Sequence, residues 1–117
     1  MSVLLDHDLE LIQRPRRPEL GDYDWFDFER VGAQVGKSRC RIEPGRFTVF
    51  SIMIYPEYEG RGYARTVIDH FQREHPMIIA DRVRFQARPF WIKVGFVAES
   101  IDRYVWRRVR SKDQELP

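Results

Sequence analysis

"YPEYEGRGYARTVIDHF", residues 55–71, decides how this chain is read. Before it, residues 46–55 ("RFTVFSIMIY") are apolar on both alternating faces, the pattern of a central strand covered above and below. After it the period changes to that of a helix, with Ala64, Val67, Ile68 and Phe71 forming one apolar stripe. Between the two stand Gly60 and Gly62, which can adopt a positive φ and leave no Cβ between backbone and ligand. A helix that starts directly from such a turn points its first N–H groups, which lack partners, in one direction. Its dipole and the nearby Arg61 and Arg65 make that end an anion site, with phosphate the natural occupant. A tight strand-to-helix turn needing glycine only for its backbone angle would be spelled the same way.

Working outward, residues 23–31 alternate, with Asp24, Phe26 and Phe28 on one side and Trp25 and Asp27 on the other. Residues 33–42 put Lys37, Arg39 and Arg41 on one face and Ser38, Cys40 and Ile42 on the other, with Gly32 turning a hairpin between the two strands. Residues 3–12 fit a strand or a short helix equally. His75-Pro76 stops the helix, since a residue before proline is pushed out of the helical region. Residues 77–86 read as a strand, 87–95 as a short helix closed by Gly95, 96–109 as two short strands around Glu99-Ser100, and 111–117 as a frayed end. The order β-β-β-β-α-β-α-β-β predicts a mixed α+β protein. The only linker-like piece is residues 13–22, so we expect one domain over residues 1–117: N-terminal strands to 45, a core from 46 to 98, and a last strand and tail from 99.

A chain of 117 residues, 43% hydrophobic, can bury a core without staples. Its single cysteine, Cys40, has no Cys or His partner at metal-ligand spacing, so we expect no disulfide within the chain, no metal site, and a reducing cytoplasmic location. No basic region followed by an apolar run opens the chain and no apolar stretch is long enough for a membrane span, so neither a signal peptide nor membrane insertion is expected. Charge is uneven: residues 1–29 hold eight acids and three arginines, net −5, and residues 30–117 hold 17 bases and ten acids, net +7. The basic part suits a polyanion such as a coenzyme phosphate. Residues 104–112 ("YVWRRVRSK") match no nucleic-acid motif, so nucleic acid is not an expected partner.

Spacing excludes two phosphate loops: G-x-x-x-x-G-K-[ST] is absent, and Gly60-Arg61-Gly62 lacks the third glycine of G-x-G-x-x-G. The run Pro56-Glu57-Tyr58-Glu59-Gly60-Arg61-Gly62-Tyr63-Ala64 resembles the acetyl-coenzyme A signature of the GNAT N-acetyltransferase superfamily, [RQ]-x-x-G-x-[GA]. Residues 87–96 ("ARPFWIKVGF") are similar to the A-x-x-F-Y-x-K-x-G-F segment that closes the family's coenzyme site, and together the resemblance covers residues 46–109. It implies a mixed sheet in which strand 46–55 splays from a parallel neighbour, with the pantetheine arm of acetyl-coenzyme A in the gap. It further implies backbone contacts near Ile52 and Ile54, pyrophosphate contacts from the turn Glu59, Gly60, Arg61, Gly62, Tyr63 and Ala64, and Phe90 and Lys93 beside the coenzyme.

The activity implied is direct attack of an amine on the acetyl thioester. That asks for a base, a stabilised oxyanion and a proton for the departing thiolate. The family's frequent tyrosine is here Trp91, whose indole N–H is a donor only. Tyr104, with Tyr63 and Tyr58 behind it, is then the candidate acid, and Glu57, alongside Glu43, the candidate base. Glu59 stands where the signature has Arg or Gln, beside the expected pyrophosphate unless it turns away to pair with Arg61 or Arg65. Arg84 stands near a frequent asparagine. The family's two helices after the first strand are replaced by "RPRRPELGD" (14–22). The acceptor site is therefore either open, suiting a protein or peptide amine, or completed by a partner chain such as a second copy through Trp25, Phe26 and Phe28. The rival reading is a coenzyme-binding or regulatory module of the same fold without catalysis.

Overall fold

The computed structural model describes residues 1–109; the tail expected to fray, 111–117, lies outside them. One eight-stranded sheet organises the described residues, in the order β1-β2-β3-β4-β5-β6-β8-β7. The strands are β1 (Ser2–Leu4), β2 (Leu9–Gln13), β3 (Asp24–Arg30), β4 (Ala33–Glu43), β5 (Arg46–Ile54), β6 (Met77–Ala80), β7 (Val97–Ala98) and β8 (Tyr104–Arg107). Two α-helices, α1 (Tyr63–Glu74) and α2 (Arg88–Lys93), join β5 to β6 and lead into β7. All neighbours run antiparallel except β5 and β6, which α1 connects as a parallel pair.

The alternation read in β3 is realised, with Asp24, Phe26 and Phe28 buried. Val31 and Gly32, both with positive φ, make the two-residue turn into β4. The ambiguous residues 3–12 are neither one strand nor a helix. A 3-10 turn at Asp6–Asp8 folds them into the hairpin of β1 and β2, in which Leu9 and Leu11 are buried. The strand expected over 77–86 ends at Ala80. Arg82 takes a left-handed conformation (φ 58°) that no strand continues through, and the chain leaves the sheet.

One face of the sheet is packed by both helices. Val67, Ile68 and Phe71 of α1 meet Phe26 and Phe47, and the ring centroids of Phe47 and Phe71 lie 4.5 Å apart. Helical period placed Ala64 on this stripe; Tyr63 is the more buried residue of that turn. Gln72 Nε2 donates to the Val94 carbonyl at 2.9 Å and ties α1 to α2. Cys40 is fully buried on this side, with Ser38 Oγ 3.1 Å from its Sγ, and burial, partly offset by that hydrogen bond, pushes the thiol up to about 12. Gly36 is required by packing, because a Cβ there would run into the Met53 carbonyl and lie 3.0 Å from Ile54 and Phe28.

Among the described residues, the opposite face carries no α-helix. Residues 14–22, with a 3-10 turn at Pro18–Leu20, lie against Trp25 and Asp27. The double cover expected for β5 therefore holds only in its first half: Phe47, Thr48 and Val49 are buried, whereas Ser51 and Met53 are exposed.

Candidate functional site

The parallel pairing of β5 with β6 is short. It runs from Phe47 opposite Ile78 to Val49 opposite Ala80, and the Asp81 N–H adds one more bond to the Val49 carbonyl at 3.0 Å. Beyond it β5 continues from Ser51 to Ile54 paired only with β4, so backbone groups on its other edge face an opening. A β-bulge sits at the start of the opening. Arg39 pairs with Ser51 and Cys40 with Val49, leaving Phe50 as the extra residue. Bulges bend a strand and re-aim its groups, and this one diverts β5 where its partner is lost.

At the far end of β5 a 3-10 turn at Pro56–Tyr58 leads through Gly60 and Gly62, each with φ 80°, into α1. A Cβ built on either glycine meets nothing among the described residues within 4 Å, so the backbone of the turn is open to a ligand. Gly62 is the N-cap of α1, no side chain caps the helix, and no acid stands in its first turn. The first intrahelical bond is from the Thr66 N–H to the Gly62 carbonyl, at 3.0 Å, so the N–H groups before it have no intrahelical partner. The partial positive charge there is uncompensated.

Between this turn, the free half of β5 and α2 lies a groove of about 440 Å³. Ile52, Ile54, Glu59, Gly60, Gly62, Tyr63, Ala64, Phe90 and Lys93 all line it, joined by Tyr58, Arg65 and Trp91. Arg61 does not line it: its guanidinium turns back, 5.6 Å from the Tyr58 ring and within 3.4 Å of the Glu57 carbonyl. Arg65, one helical turn on, is the arginine that faces the groove. Glu59 lines the groove and forms no ion pair with Arg61 or Arg65, so it does not turn away.

Neither expected catalytic residue lines the groove. Glu57 is exposed in the 3-10 turn. Tyr104 is buried on β8, opposite Ala80, one strand from the point where β5 and β6 part. Asp81 escaped the sequence reading because it lay inside an apparent strand. It stands at the divergence point, half-buried, one residue past the end of β6, with its N–H bonded to the Val49 carbonyl. Among the described residues, no cluster of three or more His, Cys, Asp or Glu could hold a metal ion, and no helix is long and apolar enough to cross a membrane.

No family model matches the sequence, and no curated protein does. Solved structures do. A protein of the GNAT family from Desulfovibrio desulfuricans is 15% identical, with 74% of this chain and 69% of that chain covered at a TM-score of 0.62. The Bacillus subtilis N-acetyltransferase YlbP, in complex with coenzyme A, is 16% identical, with 72% and 67% covered at a TM-score of 0.60. E. coli YhhK, bound to coenzyme A, is 9% identical, with 86% and 98% covered at a TM-score of 0.70. This chain therefore has the GNAT fold: a mixed sheet with one parallel pair and flanking helices. It spans about two thirds of the length of the first two proteins and nearly all of the third.

Proposed function

We propose that this chain is an acyl-coenzyme A-dependent N-acetyltransferase of the GNAT superfamily, transferring an acetyl group to an amine by direct attack. The observation that carries the reading is the groove. One wall is an unpaired strand edge and one end an uncapped helix N-terminus, with two glycines leaving open space over it. A pyrophosphate on the N–H groups of the turn, with Arg65 beside it, and a pantetheine arm along Ile52 and Ile54, between Phe90 and Lys93, match these walls in charge and shape. Glu59 is the one residue of the lining that opposes a phosphate.

The coenzyme supplies a thioester. The amine nitrogen bonds to its carbonyl carbon, the carbon–sulfur bond breaks, the ammonium proton passes to a base, and the departing sulfur takes up a proton. Backbone N–H groups at the bulged, unpaired start of the β5 edge are the donors for the developing oxyanion. We assign the base to the half-buried Asp81, at the divergence point, in preference to the remote and exposed Glu57. The proton for sulfur falls to Tyr104, because Trp91 in the groove wall has none to transfer.

The test is a thermal-shift titration with acetyl-coenzyme A and coenzyme A, followed by detection of free thiol on incubation with amines. A ligand-induced rise in Tm with amine-dependent thiol release is expected. An unmoved Tm with both ligands refutes the proposal. A shift without thiol release for any amine leaves the binding module, the reading that Trp91 in place of tyrosine favours.

A further inference from the structure

On the helix-free face, beside the bulge, lies a patch that the coenzyme groove does not use. Arg39 and Arg41 project from β4 toward the rings of Tyr23 and Phe50. The Arg39 guanidinium is 4.7 Å from the Tyr23 centroid and 5.9 Å from that of Phe50; the Arg41 guanidinium is 5.5 and 5.3 Å from the same two. Tyr23 and Phe50 meet edge to face at 5.3 Å, and Trp25, opposite Arg39, packs its ring edge to face with Tyr23 at 6.3 Å.

Neither guanidinium forms an ion pair among the described residues. Arg41 makes one hydrogen bond, Nε donating to the Asp22 carbonyl at 3.3 Å; Arg39 makes none, and its Nε is buried without a partner. Surrounding acids are already engaged. Arg16 holds Asp24 through Nε and Nη2 at 2.8 and 2.9 Å, Arg14 holds Asp27 at 2.7 Å, and Arg46 holds Glu43 at 3.0 Å. Asp24, held by Arg16, is the acid whose charge Arg41 feels, and Arg39 has no ion pair among the described residues. Two adjacent like charges sharing so little counter-charge cost stability, and a buried unsatisfied N–H adds to that cost. An anionic ligand would supply the partner that these two guanidiniums lack among the described residues. Rings this close to both guanidiniums restrict their orientation, and the Nη N–H groups, which make no hydrogen bond among the described residues, are the donors left for an oxyanion.

The patch adjoins the reaction centre. Phe50, the ring shared by both guanidiniums, is itself the bulged residue where β5 and β6 part, and Arg39 pairs with Ser51 on the next rung. We propose that Arg39 and Arg41 bind the anionic group of the acceptor, so that the substrate is an amine carrying a carboxylate or a phosphate within a few bonds of its nitrogen. This rests on the acyltransferase reading above and narrows it away from neutral or cationic amines.

Matched amines test it on the full chain: an α-amino acid against its carboxamide, and phosphoethanolamine against ethanolamine, each with acetyl-coenzyme A and free thiol as readout. The anionic member of at least one pair is expected to have a kcat/KM larger by at least about tenfold, and the responding pair identifies the anion. In Arg39→Gln and Arg41→Gln that ratio falls toward one through a rise in acceptor KM, while the acetyl-coenzyme A-induced Tm shift persists and shows the fold intact. A turnover-independent arm adds N-acetyl amino acid or N-acetylphosphoethanolamine to the coenzyme A complex, where a further Tm rise that requires Arg39 is expected. Equal use of neutral and anionic amines, ratios unchanged in both variants, or no product-induced shift in wild type overturns the assignment while leaving coenzyme binding standing. No response of the wild type to acetyl-coenzyme A would instead remove the acyltransferase reading itself.

Discussion

Gly62→Ala separates two roles of one glycine, backbone angle and ligand space. At φ 80° an L-residue is strained by about 1–2 kcal/mol. Unfolding entropy of about 2.1 cal/mol/K per residue, taken over 117 residues, converts 1 kcal/mol to about 4 °C, so the free variant should melt about 4–8 °C lower. Nothing among the described residues meets the new methyl group within 4 Å, so no further loss is expected without ligand. With coenzyme the position is different. Wild type at 100 times its dissociation constant gains about 2.7 kcal/mol, or about 11 °C. A methyl group standing where pyrophosphate meets backbone should weaken binding by about a hundredfold, which reduces the gain at the same concentration to about 0.4 kcal/mol, about 2 °C. Gly32→Ala is the matched control, since Gly32 has the same φ of 80° and the same open space but turns the β3–β4 hairpin. It should lose similar stability and keep the full shift. A Gly62→Ala protein that still gains about 11 °C would refute the cradle, whatever its melting temperature without ligand.

Glu59→Gln should tighten coenzyme binding by about 1 kcal/mol, roughly fivefold, as expected for removing one like charge at about 4 Å in water, and added salt should erase the gain; titration calorimetry at two ionic strengths checks both. Asp81→Asn and Tyr104→Phe should each lower kcat by about a hundredfold with coenzyme affinity unchanged, and steady-state kinetics showing wild-type kcat in either would remove that residue from the chemistry. Gly36→Ala should cost more than about 3 kcal/mol by denaturant titration, because its Cβ meets backbone that cannot yield; near-wild-type stability would contradict the packing. Burial holds the His70 and His75 imidazoles below their ordinary range, so the native state favours the neutral rings. Stability should therefore be full above about pH 6.5 and fall as the pH drops from there through the lower folded values. Asp24 adds a second loss in acid. Burial pushes its carboxyl up, but Arg16 and the Ile42 N–H outweigh that and hold it below the carboxylate range, so its contribution disappears as pH falls below about 4. A melting temperature flat from pH 8 to 5 would contradict the histidine assignment.

What could be read in advance was what local pattern encodes. Helical period exposed α1, alternation exposed β3 and β4, and the glycine pair with "ARPFWIKVGF" placed nine of the ten expected coenzyme contacts on one groove. What failed depends on neighbours in space. Residues 77–86 look like one strand because Val83 and Phe85 continue the alternation, yet Arg82 breaks it in a left-handed conformation; Val83 N–H bonds to the Asp102 carbonyl and Phe85 enters a 3-10 turn. Ser51 and Met53 sit in an apolar run that predicts double cover, and only the absence of helices on one face exposes them. Lys37, Arg39 and Arg41 were legible as one face of a strand. That Tyr23 and Phe50 would flank two of them follows from strand register and a bulge, neither of which single-chain periodicity reports.

Cys40 has a practical and a chemical consequence. A thiol with no solvent exposure and a pKa of about 12 holds almost no thiolate at neutral pH, and thiolate is the species that reacts. The folded protein is thus silent to disulfide reagents, so colour developed in a thiol-release assay counts coenzyme A alone. For the same reason its only sulfur nucleophile is withheld from any activated acyl group the chain handles: the protein can carry a reactive thioester without becoming its own thiol acceptor.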